Sequence, residues 1–170
     1  MTIKRCRIKS ILIILATIIL LAGIAGCVVP IGSKVGDKAP DFTLSTLDGG
    51  QIRLADLKGK TVVLVFWTTG CGACIYQMPF LEEAHDELGN DVEFVNINIG
   101  EDSYQVQAVI DYYGFSLPVA LDSDEMVSTD YNIIYTPTNI IIDKYGVIHY
   151  VRKGAFTSGT EILSILNAME

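Results

Sequence analysis

Cys71 and Cys74 stand three positions apart in the stretch VFWTTGCGACIYQMP, Val65 to Pro79. Two thiols at this spacing can form a redox couple, hold a soft metal ion, or close a structural disulfide. A bridge across so small a loop restrains the unfolded chain little, so a purely structural role is poorly served here. The flanking residues favour reactivity. The run TVVLVFW, Thr61 to Trp67, is continuously apolar and rich in Val, as suits a strand buried on both faces. Residues 72–88 then carry a helical pattern. Cys71 falls at the start of that helix, where unpaired N–H groups and the helix dipole stabilise a thiolate. Cys74 lies one turn further on, within bonding reach. It shares an apolar face with Met78, Leu81 and Leu88. The expectation is an exposed, attacking Cys71 and a buried, resolving Cys74. Pro79 should kink the helix; the alternative is a second helix starting there.

The rest of the chain predicts the elements that hold such a pair. DFTLSTLDGGQIRLADL reads as a hairpin, Asp41–Thr46 with Gln51–Leu54. Val92–Ile99 reads as a strand, and Ser103 can cap a helix running to about Tyr113. A loop and short strand follow in FSLPVALD, then a short helix near Glu125–Tyr131. Thr138–Asp143 and Val147–Lys153 read as strands around the turn Lys144-Tyr145-Gly146. Ser158 with Glu161 fits a capping box for a last helix, 159–169. The order predicts an α/β sandwich with a mixed central sheet. His85 and His149 read as surface or partly buried side chains, and there is no internal repeat.

The N-terminus speaks to compartment. MTIKRCRIKS carries four basic residues and no acid, and ILIILATIILLAGIAG, Ile11 to Gly26, is apolar or small apart from Thr17. A basic start, a short apolar stretch and small residues before a cut make a secretory signal. With Cys27 directly after it, the pattern resembles a bacterial lipobox. That implies a signal peptide over 1–26, discarded with Cys6, a lipidated Cys27, a spacer over 27–34 that includes Gly32-Ser33-Lys34, and one domain over 35–170. An uncleaved single transmembrane anchor is the alternative, although sixteen residues fall short of the roughly 20 needed to span. Either way the domain is expected outside the cytoplasm, on the outer face of the cell membrane, where disulfides persist. Without the signal, eight Lys/Arg face all 20 Asp/Glu, a formal −12. Such a surface repels phosphate backbones, so no nucleic-acid partner is expected.

FWTTGCGACIYQMPFLEE resembles the active-site segment of the thioredoxin superfamily, and in particular the membrane-anchored TlpA/ResA-like thiol-disulfide oxidoreductases. KAPDFTLSTLDGGQIRLADLKGKTVVLVFW is similar to that family's N-terminal hairpin and first core strand. The stretch from Val95 to Ile148 is similar to its central insert and second half, so the match spans about 36–168. The resemblance implies a thioredoxin fold, a mixed sheet flanked by helices with an N-terminal hairpin and a central insert. It implies a redox-active Cys71–Cys74 disulfide with no other cofactor and no metal. It implies that Thr136-Pro137 is a cis bond facing the cysteines, with Thr136 and Pro137 orienting a client's backbone. Trp67 and Gly70 border the same site, and Gln77 and Pro79 support it from behind. Implied partners are a protein thiol or disulfide client, with apocytochrome c one candidate, a membrane protein that donates electrons, and the membrane itself. A monomer is expected.

The chain also departs from the family. Gly70 replaces the Trp common before the first cysteine. Gln77 stands where ResA-like proteins commonly carry Glu, and Val65 where thioredoxin has a buried Asp, so neither acid–base carboxylate is present. Glu82 and Glu83 read as solvated. Gly72-Ala73 lacks the His of strong oxidants. Two rivals remain. A peroxiredoxin-like peroxidase would need Pro at position 64, which is Leu64. A copper chaperone of this fold would have three residues between its cysteines and a distal His.

Overall fold

The computed structural model describes residues 29–169. The expected signal peptide, 1–26, and the expected lipidation at Cys27 fall outside the described residues. Among those described, no helix is long and apolar enough to cross a membrane. Seven strands form one mixed sheet: β1 (Thr43–Thr46), β2 (Gln51–Arg53), β3 (Thr61–Trp67), β4 (Val92–Ile99), β5 (Val119–Asp122), β6 (Thr138–Ile142) and β7 (Ile148–Lys153). Their spatial order is β2-β1-β5-β4-β3-β6-β7. β3, β4 and β5 run parallel, while the hairpin β1–β2 and the pair β6–β7 join antiparallel at either side. The helices are α1 (Gly72–Leu88), α2 (Ser103–Tyr113), α3 (Met126–Asp130) and α4 (Gly159–Asn167).

β3 is central because its sequence lets both faces be buried. Val63, Val65 and Trp67 point into one core layer, against Cys74, Met78 and Leu81 of α1, Val106 of α2 and Ile162 of α4. Val62, Leu64 and Phe66 point into the other, with Phe42, Leu44, Val127 and Tyr131. All six are at most 2% exposed, and each such side chain contributes roughly 1.5–3 kcal/mol by burial. The Tyr131 hydroxyl donates to the Pro40 carbonyl at 2.7 Å. Burial raises its phenol well above the usual value, so it stays a neutral donor.

The expected elements are present, with three differences. α2 is capped by Asp102, not Ser103: the Asp102 carboxylate accepts from Gln105 N–H at 3.0 Å, and Ser103 is the first helical residue. Pro79 lies inside one continuous helix, in keeping with the expected single helix and not with the alternative of a second one. Residues 30–38 are no free spacer. Lys38 N–H donates to Pro30 C=O at 2.8 Å, and Gly36 N–H to Ile148 C=O at 2.8 Å, so the segment is fastened to the β6–β7 turn. At α4, Ser158 caps Glu161 N–H as expected, but the Glu161 carboxylate turns to Thr157 N–H and hydroxyl and to Arg152. Those hydrogen bonds, led by Thr157 N–H, hold its carboxyl below the usual range.

The cap on α2 is testable by thermal or urea unfolding. Asp102→Ala should cost about 1 kcal/mol, and Ser103→Ala should cost less than about half of that. Equal losses would count against the assignment.

Candidate active site

The loop Thr68–Gly70 carries the chain from β3 into α1. Cys71 is the N-cap residue of α1: its Sγ accepts from Cys74 N–H at 3.1 Å, and its carbonyl accepts from Ile75 N–H at 3.1 Å. Cys71 and Cys74 are joined as a disulfide. Cys74 is wholly buried and Cys71 is partly exposed, the asymmetry that the helical spacing predicts. Gly70, Gly72 and Ala73 are exposed around Cys71. A Cβ at Gly70 or Gly72 would meet nothing within 4 Å, so the lip beside the sulfur is open rather than filled.

β6 brings the second half of the site. Its antiparallel register pairs Phe66 with Thr138, which carries Pro137 to the level of Trp67, where the loop to Cys71 begins. The Thr136–Pro137 bond is cis, as the resemblance implies. Thr138 Oγ donates to Tyr135 C=O at 2.7 Å. Among the described residues neither the N–H nor the C=O of Thr136 has a backbone partner. Ile134 and Tyr135, next to it, are more than 60% exposed.

Behind the cysteines the site is polar and buried. Gln77 and Asn139, both 0% exposed, exchange two amide hydrogen bonds of 3.2 Å. Gln77 Oε1 also accepts from Phe156 N–H at 3.1 Å, and Asn139 Nδ2 donates to Gly154 C=O at 3.0 Å. Gln77 is therefore a junction between α1, β6 and the loop before α4, and not merely a neutral stand-in for Glu. Val65 lies between Asn96 and Asn139 in the sheet register, so amides flank the position where thioredoxin carries its Asp. Trp67 is 0% exposed. It supports the pair from beneath and cannot meet a client's surface, which corrects its expected place in the substrate groove. Trp67 Nε1, Asn96 Oδ1 and Asn98 Oδ1 are buried without a protein partner.

A carboxylate missed by sequence reasoning holds the cysteine loop. Glu101 accepts from Thr69 N–H at 2.8 Å, Thr69 Oγ at 2.7 Å, Asn98 Nδ2 at 2.7 Å and Gln105 Nε2 at 3.3 Å. Gly100, at φ +66°, turns the chain from β4 so that Glu101 can reach that loop. All four donors are neutral, and among the described residues no Lys or Arg pairs with it. The signal in the sequence was Gly100-Glu101 directly after a strand parallel to β3, legible only with the strand order known. Glu82 is likewise not idle: it accepts from Ser116 N–H at 2.6 Å and Ser116 Oγ at 2.9 Å. Among the described residues no group of three or more His, Cys, Asp or Glu side chains could hold a metal ion.

Comparison with known proteins agrees with this geometry. The family model described as Redoxin matches residues 34–168. The chain is 36% identical over 124 residues to the thiol-disulfide oxidoreductase ResA of Geobacillus kaustophilus, covering 72% of this chain and 71% of that protein. Among solved structures it is similar to the exposed lipoprotein thioredoxin Etrx1 of Streptococcus pneumoniae, with a TM-score of 0.65 and 32% identity over 76% of this chain and 99% of that one. It is also similar to a secreted Mycobacterium tuberculosis disulfide oxidoreductase, with a TM-score of 0.67 and 27% identity over 75% of this chain and 95% of that one. With its thioredoxin fold and its CxxC pair, the chain belongs to the redoxin family as a ResA-like thiol-disulfide oxidoreductase.

Proposed function

We propose that this oxidoreductase reduces protein disulfides outside the cytoplasm, with Cys71 attacking and Cys74 resolving. The observation that carries the roles is the asymmetry of the pair: a partly exposed sulfur at a helix N-terminus, bonded to a wholly buried one. In the reduced enzyme the Cys71 thiolate attacks one sulfur of a client disulfide. A mixed disulfide forms, and the other client sulfur leaves as a thiolate that takes up a proton. Cys74 then gives up its proton and attacks Cys71 Sγ. That releases the second client thiol and forms the Cys71–Cys74 bond. Two electrons and two protons pass to the client, and a membrane electron donor restores the dithiol.

The free N–H and C=O of Thr136, beside Pro137, suit an extended client segment that pairs as an added strand. The open lip at Gly70 leaves room for it. Backbone pairing reads little sequence, in keeping with protein thiol clients as a class. Apocytochrome c, with its C-x-x-C-H haem-attachment cysteines, is a client of suitable chemistry. The leader motif supports lipidation at Cys27 and attachment to the outer face of the membrane. One structural relative is an exposed lipoprotein and another is secreted.

The deciding measurement is the reduction potential of the Cys71/Cys74 pair in thiol buffers. A value of roughly −220 to −270 mV is expected for a reductant of the thioredoxin kind; one near roughly −120 mV would mark an oxidant and sink the proposed direction. Cys74→Ser should accumulate mixed disulfides with clients through Cys71, and Cys71→Ser should trap none. The reverse pattern would exchange the two roles. Glu101 holds a negative charge beside the loop that carries Cys71. Glu101→Gln removes the charge, favours the thiolate and hence the reduced form, and should raise the potential by roughly 20 mV. An unchanged potential would leave Glu101 a purely mechanical clamp.

A further inference from the structure

The chain enters the fold at the end of the molecule opposite the cysteines. The cysteines follow the C-terminal end of β3, whereas residues 30–38 are fastened to the β6–β7 turn, level with the start of β3. Ile148 N–H donates to Asp37 C=O at 2.8 Å, Ala39 N–H to Gly146 C=O at 3.0 Å, and Gly59 N–H to Lys144 C=O at 3.1 Å. The seven residues of β3 put about 23 Å between the two ends.

This distal end has an unusual surface. Ile31, Val35 and Tyr145 are 71%, 62% and 74% exposed, and Val29 is 42% exposed. Four apolar side chains are thus exposed at one end of the domain, with none of the described residues covering them. Lys34, Lys38, Lys58 and Lys144 stand exposed around them, and Lys60 pairs with Glu93. Five of the eight basic residues beyond the leader are therefore here. The carboxylates at this end are largely engaged. Asp37 accepts from Lys34 N–H, Asp143 from Tyr145 and Val147 N–H, and Asp41 pairs with Arg53. Asp56 and Asp91 are exposed. With Asp86 and Glu87 in the last turn of α1 the end is still acidic, but far less so than the rest of the domain, which holds only three basic residues and most of the acids.

We propose that this end is seated on the phospholipid surface, so that the cysteines face away from the membrane. The inference rests on the reading of an N-terminal membrane anchor, lipid or span, because Val29, to which the preceding 28 residues are joined, lies at this end. Tyr145, Ile31 and Val35 enter the headgroup region, and the lysine stems lie along them with their ammonium groups among the phosphates. The remaining surface, strongly acidic, is repelled by anionic headgroups. The active site then stands about 20 Å above the lipid. Clients reach it from solution, and the electron donor must extend a domain that far outward.

The test uses full-length protein, extracted from membranes and reconstituted into vesicles of phosphatidylethanolamine and phosphatidylglycerol. Tyr145→Trp and Tyr104→Trp each add one reporter to the buried Trp67. Tyr104, 85% exposed, sits at the start of α2, near the cysteines. With lipids brominated near the headgroup, Tyr145→Trp should be quenched at least about twofold more than Tyr104→Trp. Lys34→Glu with Lys144→Glu should reduce that difference without loss of vesicle flotation. Equal quenching of the two reporters, in protein that floats with the vesicles, would overturn the orientation and leave the anchor standing. Failure to float would remove the anchor and the orientation with it.

Discussion

Two amides, Gln77 and Asn139, hold the site together. One is on the helix that carries the cysteines, three residues after Cys74; the other is on the strand that follows Pro137, two residues on. Their reciprocal hydrogen bonds, with the further bonds to Phe156 N–H and Gly154 C=O, fix the spacing between the cysteine helix and the strand that follows Thr136-Pro137. They do so without placing a charge in the core. A carboxylate at 77 could accept from Asn139 and Phe156 but would have nothing to offer Asn139 Oδ1. It would also need a counter-charge or a proton. The neutral residue and its amide partner form a satisfied unit, and such buried networks are stable only when every member is satisfied.

The charge that the core omits reappears on the loop. Glu101 grips Thr69 through both its backbone and its hydroxyl, and Asn98 links it to the amide layer beneath Trp67. The cysteine loop is thereby tied to β4, the strand beside β3, as the helix after it is tied to β6. Rigidity of the site comes from these two ties to neighbouring strands more than from the short loop itself.

Much of this was legible in the chain. The both-faces-buried strand Thr61–Trp67, the helix 72–88 and the strand Val92–Ile99 follow from hydrophobic pattern and match to the residue. Those segments carry strong local signals: a seven-residue, Val-rich apolar run is too short for an ordinary helix and rich in strand formers. What stayed hidden depends on contacts between distant segments. Asp102 and Ser103 are equally good caps by residue type, and only the exit angle from β4 after Gly100 decides between them. Gln77 could be seen as an absence of charge, but its partner Asn139 lies 62 residues away. Glu101 looked like any acid in a loop until the parallel pairing of β3 and β4 set it against Thr69. The segment 27–34 reads as a spacer from its Gly and Ser, yet backbone pairing with Lys38 folds residues 30–38 onto the β6–β7 turn.

The atom that reacts at Cys71 is also the atom that caps α1. Its sulfur receives Cys74 N–H at 3.1 Å while tied in the disulfide. A thiolate is a far stronger acceptor than a disulfide sulfur, since charge-assisted hydrogen bonds are shorter and roughly twice as strong. Each reduction therefore tightens the first turn of the helix, and each oxidation slackens it. The end of α1 breathes in time with the electron cycle, and the exchange of the Cys74 amide proton with solvent becomes a built-in gauge of the redox state.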